Sequence, residues 1–212
     1  MFHPIDPDRW ERRDTFRNFI DLDCSYSVTR DLCVTPFLAH VRARGLRFYP
    51  AFSWAVLHAV NRHREFRMGF DGGGRPGYYD EVHAEYTVLD ERTKNMDSLN
   101  TAYRPNFSDF YAAMTDDLER FARDGTRTVS RENSVLLSCV PWFSYTGLSF
   151  HMKSNLSFLR PMFVWGKYRR QGEELLMPFT IQVHHAAADG YHCHLLFTDL
   201  ERVLREPQSY LK

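Results

Sequence analysis

No run of about 18 apolar residues occurs in the 212-residue chain, so no segment is expected to span a membrane. The opening Met1-Phe2-His3-Pro4-Ile5-Asp6 has no basic stretch followed by an apolar core, and a chain without a secretory leader is expected. Cysteine is sparse. Cys24, Cys33, Cys139 and Cys193 lie far apart and form no Cys-x-x-Cys pair, the usage of a cytoplasmic protein with free thiols. An excess of one charge is also missing: lysine plus arginine and aspartate plus glutamate number 27 each, and the pI is about 7.2. Nucleic acid, which calls for a concentrated basic footprint, is therefore not an expected partner. The triplet Gly72-Gly73-Gly74 is not followed by lysine at a helix start, which argues against a phosphate loop. No repeat, low-complexity tract or linker divides the chain, so residues 1–212 are read as one domain.

Aromatic residues are plentiful, with 17 phenylalanines and 11 tyrosines. Most must pack a core, and the surplus permits an aromatic-walled pocket for a small uncharged ligand. Strands are expected at Ser25–Thr29, Glu85–Leu89, Val135–Val140, Leu148–Met152 and Phe179–Val183, the last from its alternation. The glycine triplet with Pro76-Gly77 reads as a turn between two further strands. A short helix is expected between Trp10 and Phe19. Pro50 suits the first turn of a helix whose body, Ala51–Val60, is apolar nearly all round and belongs against a sheet. Phe110, Met114, Leu118 and Phe121 share one face of another helix, with Ser108 as its cap, and Leu196, Leu200, Val203 and Leu204 form the stripe of the last. Strands interleaved with helices make one mixed α/β domain.

The most informative segment is His184-His185-Ala186-Ala187-Ala188-Asp189-Gly190-Tyr191-His192, at a strand-to-helix junction where a loop can present reactive groups from a rigid frame. His185 is the histidine four residues before Asp189, and near neutral pH its imidazole can accept a hydroxyl proton. The aspartate would hold the loop in shape. Other readings stay open on this motif alone. One is a histidine with a purely structural role at a strand end. Another is a metal site from His184, His185, His192, Cys193 and His194, although these have no familiar zinc spacing. The glutamate of a His-Glu-x-x-His protease is absent.

Several further motifs stand in order along the chain: Trp10-x-Arg12-Arg13-x-x-Phe16, Phe48-Tyr49-Pro50-Ala51-Phe52, Glu65-Phe66-Arg67-Met68, Tyr86-Thr87-Val88, Pro141-Trp142, Gly166-Lys167-Tyr168 and Gln182-Val183-His184-His185. With them the chain resembles the chloramphenicol acetyltransferase family over nearly its full length. The resemblance implies a single mixed-sheet, two-layer domain of the coenzyme A-dependent acyltransferase type, assembled as a homotrimer with active sites between subunits. It implies acetyl-CoA as co-substrate, no permanently bound cofactor and no metal. His185 would take the proton of a substrate hydroxyl, which attacks the thioester directly without a covalent acyl-enzyme. Asp189 would pair with Arg12 and shape the loop. Lys167 and Tyr168 correspond to positions near coenzyme A, and Phe19, Cys24, Tyr26 and Thr87 to positions lining the acceptor site.

Three positions depart from the family pattern. Gly147 stands where many members place a serine that hydrogen-bonds the oxyanion, Val164 replaces a threonine near the substrate, and Met96 replaces a large aromatic. Thr146, or a backbone N–H left accessible by glycine, is the expected substitute donor. The expected activity is acetyl transfer to a hydroxyl of chloramphenicol. The alternatives are the same chemistry on a different alcohol or with another acyl group, and an aromatic-ligand-binding protein of weak activity.

Overall fold

A computed structural model describes residues 1–151 and 159–212. In chain order its elements are β1 (Phe2–Pro4), α1 (Arg13–Asp21), β2 (Ser25–Cys33), α2 (Thr35–Ala43), α3 (Phe48–Val60), β3 (Met68–Phe70), β4 (Pro76–Tyr79), β5 (His83–Leu89), β6 (Met96–Thr101), α4 (Phe107–Asp124), β7 (Ser134–Val140), β8 (Met162–Gly166), β9 (Arg169–Gln171), β10 (Glu174–His184), α5 (Gly190–Arg205) and α6 (Pro207–Tyr210). A 3-10 turn, Arg64–Arg67, precedes β3. The main sheet runs β2-β10-β8-β7-β5-β6, with β9 paired to β10. β7 is parallel to both β5 and β8, and the other pairings are antiparallel. β1, β4 and β3 form a separate antiparallel sheet.

The two faces of the main sheet differ in chemistry because side chains alternate along each strand. Phe163, Trp165, Phe179, Ile181, Tyr86 and Leu137 are buried in one core with α3, α4 and α5. Phe52 of α3 meets the Trp165 ring at 4.9 Å and the Phe179 ring at 5.9 Å. A helix apolar on every side fits here because sheet and neighbouring helices surround it. The opposite face carries polar pairs: Thr29 and Thr180 hydroxyls pair at 2.8 Å, and Thr87 and Ser138 at 2.9 Å. The segment after β7 folds over this face. Tyr145 donates its hydroxyl to the Val164 carbonyl at 2.8 Å, while the Gln182 amide exchanges two hydrogen bonds with the Phe150 backbone, at 2.7 and 3.0 Å. Gly166 lies under the Tyr145 ring, where a Cβ would stand 2.9 Å from a ring carbon, so a side chain there would displace the segment.

Two expectations need correction. Ser108 does not cap α4: Asn106 does, accepting the Asp109 N–H at 3.1 Å, while the Ser108 hydroxyl donates to the Lys212 carbonyl. Asn106 lies one residue before the first helical residue, where a side-chain oxygen reaches the exposed N–H groups. The strand expected over Leu148–Met152 is absent from Leu148 to His151, whose Phe150 bonds instead to the Gln182 side chain; Met152 lies outside the described residues. All four cysteines are unpaired, and no described helix is long and apolar enough to cross a membrane.

Candidate active site

β10 carries the two histidines to its end, and the chain turns between them. His184 is the last strand residue and is buried; its Nδ1 accepts the Ala186 N–H at 3.2 Å, and burial lowers its pKa. His185 has left the strand. Its N–H donates to the Cys24 carbonyl at 2.8 Å. Its ring stacks on Phe19 at 3.8 Å and 7°, with Tyr26 tilted against it at 4.8 Å. Nδ1 is buried without a hydrogen-bond partner among the described residues, so no neighbouring group competes for the ring. A clamped imidazole of this kind can accept a proton through Nε2.

The turn beneath it is held by small residues and two ionic groups. The Ala187 and Ala188 N–H groups both return to the His184 carbonyl, at 3.0 and 3.2 Å. Ala186 and Ala187 are buried in a second small core with Phe16 and Met68, against which Phe19 and Trp10 also pack. Asp189 then caps α5. One carboxylate oxygen accepts the Tyr191 N–H at 3.1 Å, and the other accepts from Arg12 Nη1 at 2.7 Å. Burial alone would raise the Asp189 pKa, but the Arg12 hydrogen bond, backed by the Arg12 charge, helps to hold the carboxyl below its ordinary value. Asp189 therefore acts on the backbone of the turn and makes no hydrogen bond to His185. The Tyr26 hydroxyl, its pKa pushed far up by burial, remains a neutral donor and reaches the Ala188 carbonyl at 3.3 Å.

His185, Asp189, Arg12, Phe19, Cys24 and Tyr26 are thus brought together. The other expected site residues lie elsewhere in the chain. Val164 pairs in register with Thr180, five residues before His185 and about 16 Å away along the strand. Thr87 lies on β5, three strands from β10 and therefore roughly 14 Å to the side. It lines an open cavity of about 440 Å³ with Tyr49, Leu118, Cys139, Trp142 and Met96. Thr146 and Gly147 are exposed on the segment over the polar face, and a Cβ at Gly147 would meet nothing within 4 Å among the described residues. Lys167 is exposed beyond β8, whereas Tyr168 is half-buried with its hydroxyl accepting from Arg42 at 2.9 Å. The histidine-rich run is dispersed: His184 lies near Asp23, His192 beside Asp189, and His194 in solvent. No group of three potential metal ligands is gathered among the described residues.

Residues 1–201 match the family model for chloramphenicol acetyltransferase. The chain belongs to the chloramphenicol acetyltransferase family. A chloramphenicol acetyltransferase of Clostridium perfringens is 31% identical over 214 residues, spanning 99% of this chain and 98% of its own length. A solved chloramphenicol acetyltransferase structure shares the fold with a TM-score of 0.88 at 24% identity, covering 96% of this chain and 100% of the other. A dihydrolipoamide acetyltransferase of Azotobacter vinelandii shares it more distantly, with a TM-score of 0.69 at 14% identity over 94% and 90% of the two chains. The family resemblance and mixed α/β fold read from the motifs are borne out. The contact of His192 with Asp189 was not evident in the sequence. Its signal was the three-residue spacing of a helix cap and its return partner, obscured because histidine replaces the usual glutamate or glutamine.

Proposed function

We propose that this member of the chloramphenicol acetyltransferase family transfers the acetyl group of acetyl-CoA to a hydroxyl of chloramphenicol, with His185 as general base. The observation that carries the reading is the His185 imidazole, stacked on Phe19 and fixed through its backbone to Cys24, in a turn tied to Arg12. Its lone pair takes the hydroxyl proton as the oxygen attacks the thioester carbonyl. The tetrahedral adduct collapses by breaking its C–S bond, and the departing thiolate takes the proton from the imidazolium. Thr146, or the backbone beside Gly147, supplies the oxyanion donor; Lys167 faces the phosphates of coenzyme A, and Tyr168 lies beside its adenine. No covalent acyl-enzyme, metal or permanently bound cofactor is required.

The division of site residues within one chain supports a homotrimer with active sites between subunits. The His185 face of one copy would close on the Thr87, Val164, Thr146 and Gly147 face of the next. The Thr87 cavity, about 440 Å³, lies within the range of small-molecule pockets. A second reading, the same chemistry on another alcohol, is favoured by Met96, which lines that cavity 53% exposed where relatives place a large aromatic. Thiol release from acetyl-CoA, measured with chloramphenicol and with a panel of other alcohols, separates the readings. Drug-dependent turnover supports the first and turnover only with another alcohol the second. No turnover with any acceptor overturns both and leaves a ligand-binding protein.

A further inference from the structure

We propose that His192 is a positioning residue for His185, working as a neutral imidazole whose Nδ1 accepts the Asp189 N–H. The proposal rests on the acyl-transfer reading above. The Asp189 N–H donates to His192 Nδ1 at 3.1 Å, while Asp189 Oδ1 accepts the Tyr191 N–H at 3.1 Å. Together with the side-chain bond back to the first turn, this is the reciprocal cap of α5. The same Nδ1 also lies 2.9 Å from Asp189 Oδ1. One ring nitrogen cannot fill both roles, since accepting the N–H needs a lone pair and donating to the carboxylate needs a proton.

The partners around it decide between the roles. Asp189 Oδ2 is held by Arg12 and Oδ1 already takes the Tyr191 N–H, so the carboxylate is satisfied without His192. The Asp189 N–H has no other acceptor among the described residues. A protonated His192 would leave that N–H unpaired; a neutral one accepts it and leaves the carboxylate to Arg12 and the Tyr191 N–H. Charged groups face the ring on both sides. Glu65, from the 3-10 turn, places Oε1 3.9 Å from Nε2 and is itself paired with Arg64 at 3.2 Å, while Asp189 and Arg12 stand on the Nδ1 side. The Tyr191 ring packs edge-on at 5.9 Å. Fixing the Asp189 backbone fixes the end of the four-residue turn that begins at His185, so the effect on chemistry is through geometry.

The test has a spectroscopic arm and a kinetic arm. Ring ¹⁵N shifts of the unliganded wild-type protein near neutral pH should show His192 neutral, with the proton on Nε2. His192→Ala should lower kcat about tenfold or more while leaving KM for both substrates nearly unchanged, because a misplaced base costs rate and not binding. His192→Gln, whose side-chain oxygen can take the same N–H, should recover kcat to within about threefold of wild type. An imidazolium or an Nδ1–H tautomer in the wild type overturns the proposal. So do variants that lose thermal stability yet keep kcat, the behaviour of a plain helix cap. If His192→Ala does not fold, the wild-type spectrum and the glutamine variant still decide. The spectrum needs no turnover, so an inactive wild type with the stated tautomer refutes the acyl-transfer reading and leaves the contact standing.

Discussion

Asp189→Asn isolates the ion pair that ties the His185–Asp189 turn to the start of α1. Asparagine can still accept the Tyr191 N–H and is as good a helix cap, but its amide nitrogen then faces Arg12, so the substitution removes the charge and the Arg12 hydrogen bond together. At 2.7 Å the gross attraction is about 6 kcal/mol at an effective dielectric near 20. Breaking one side of a fully buried pair costs about 3–5 kcal/mol, since the remaining charge is stranded. Here the Arg12 and Asp189 side chains are 19% and 31% exposed, so water compensates part of the loss. Roughly 2 kcal/mol is expected, a Tm drop of about 4–8 °C for a domain of this size. Activity should fall with it, because the turn bearing His185 loosens. The Asp189 carboxyl titrates below its unfolded value, so its contribution is present above the ordinary carboxylate range and lost as pH falls through the lowered folded value. Wild-type and Asp189→Asn stabilities should therefore converge in acid. Thermal melts across pH, run beside thiol-release kinetics, provide the assay; an unchanged Tm at neutral pH refutes the argument.

Exhaustive chelation should leave activity unchanged, as alcoholysis by a positioned base needs no Lewis acid; stoichiometric zinc whose removal abolishes turnover would contradict this. Gly147→Ser should fold with an unaltered Tm, because nothing among the described residues lies within 4 Å of the new Cβ. Its kcat should stay within about threefold of wild type if Thr146 or the backbone already donates to the oxyanion, whereas a gain approaching 100-fold would identify a missing donor. Burial pushes the Cys139 thiol up to about 12, so iodoacetamide at about pH 8 should leave it unmodified; its rapid alkylation, traced by mass spectrometry, would contradict that environment.

What was legible in the sequence was whatever one periodicity or one motif determines. The all-apolar body of α3 signalled a helix enclosed on every side, and the alternation of Phe179–Val183 marked the core of β10, though the strand runs from Glu174 to His184. β8 escaped because Met162–Gly166 is buried on both faces and shows no alternation, and β6 because Met96–Thr101 is largely polar. At the site, His185 and Asp189 stood out by their spacing, and the Arg12 partnership followed from family resemblance. The Phe19 stack was not legible: it depends on where α1 lies against the β10–α5 turn, which no local pattern encodes. Nor was the separation of Thr87 and Val164 from His185, a consequence of strand order across the sheet.

The central claim is that His185 removes the acceptor proton, and thiol release by His185→Ala and His184→Ala with acetyl-CoA and chloramphenicol tests it most directly. His185→Ala should lose roughly 10²–10⁴-fold in kcat while retaining the wild-type fold, because the imidazole stacks at the surface of the turn and fills no large core site. His184→Ala should be the milder in rate and the more costly in stability, its ring being buried. Near-native turnover by His185→Ala, or a greater loss of rate in His184→Ala, would contradict the account.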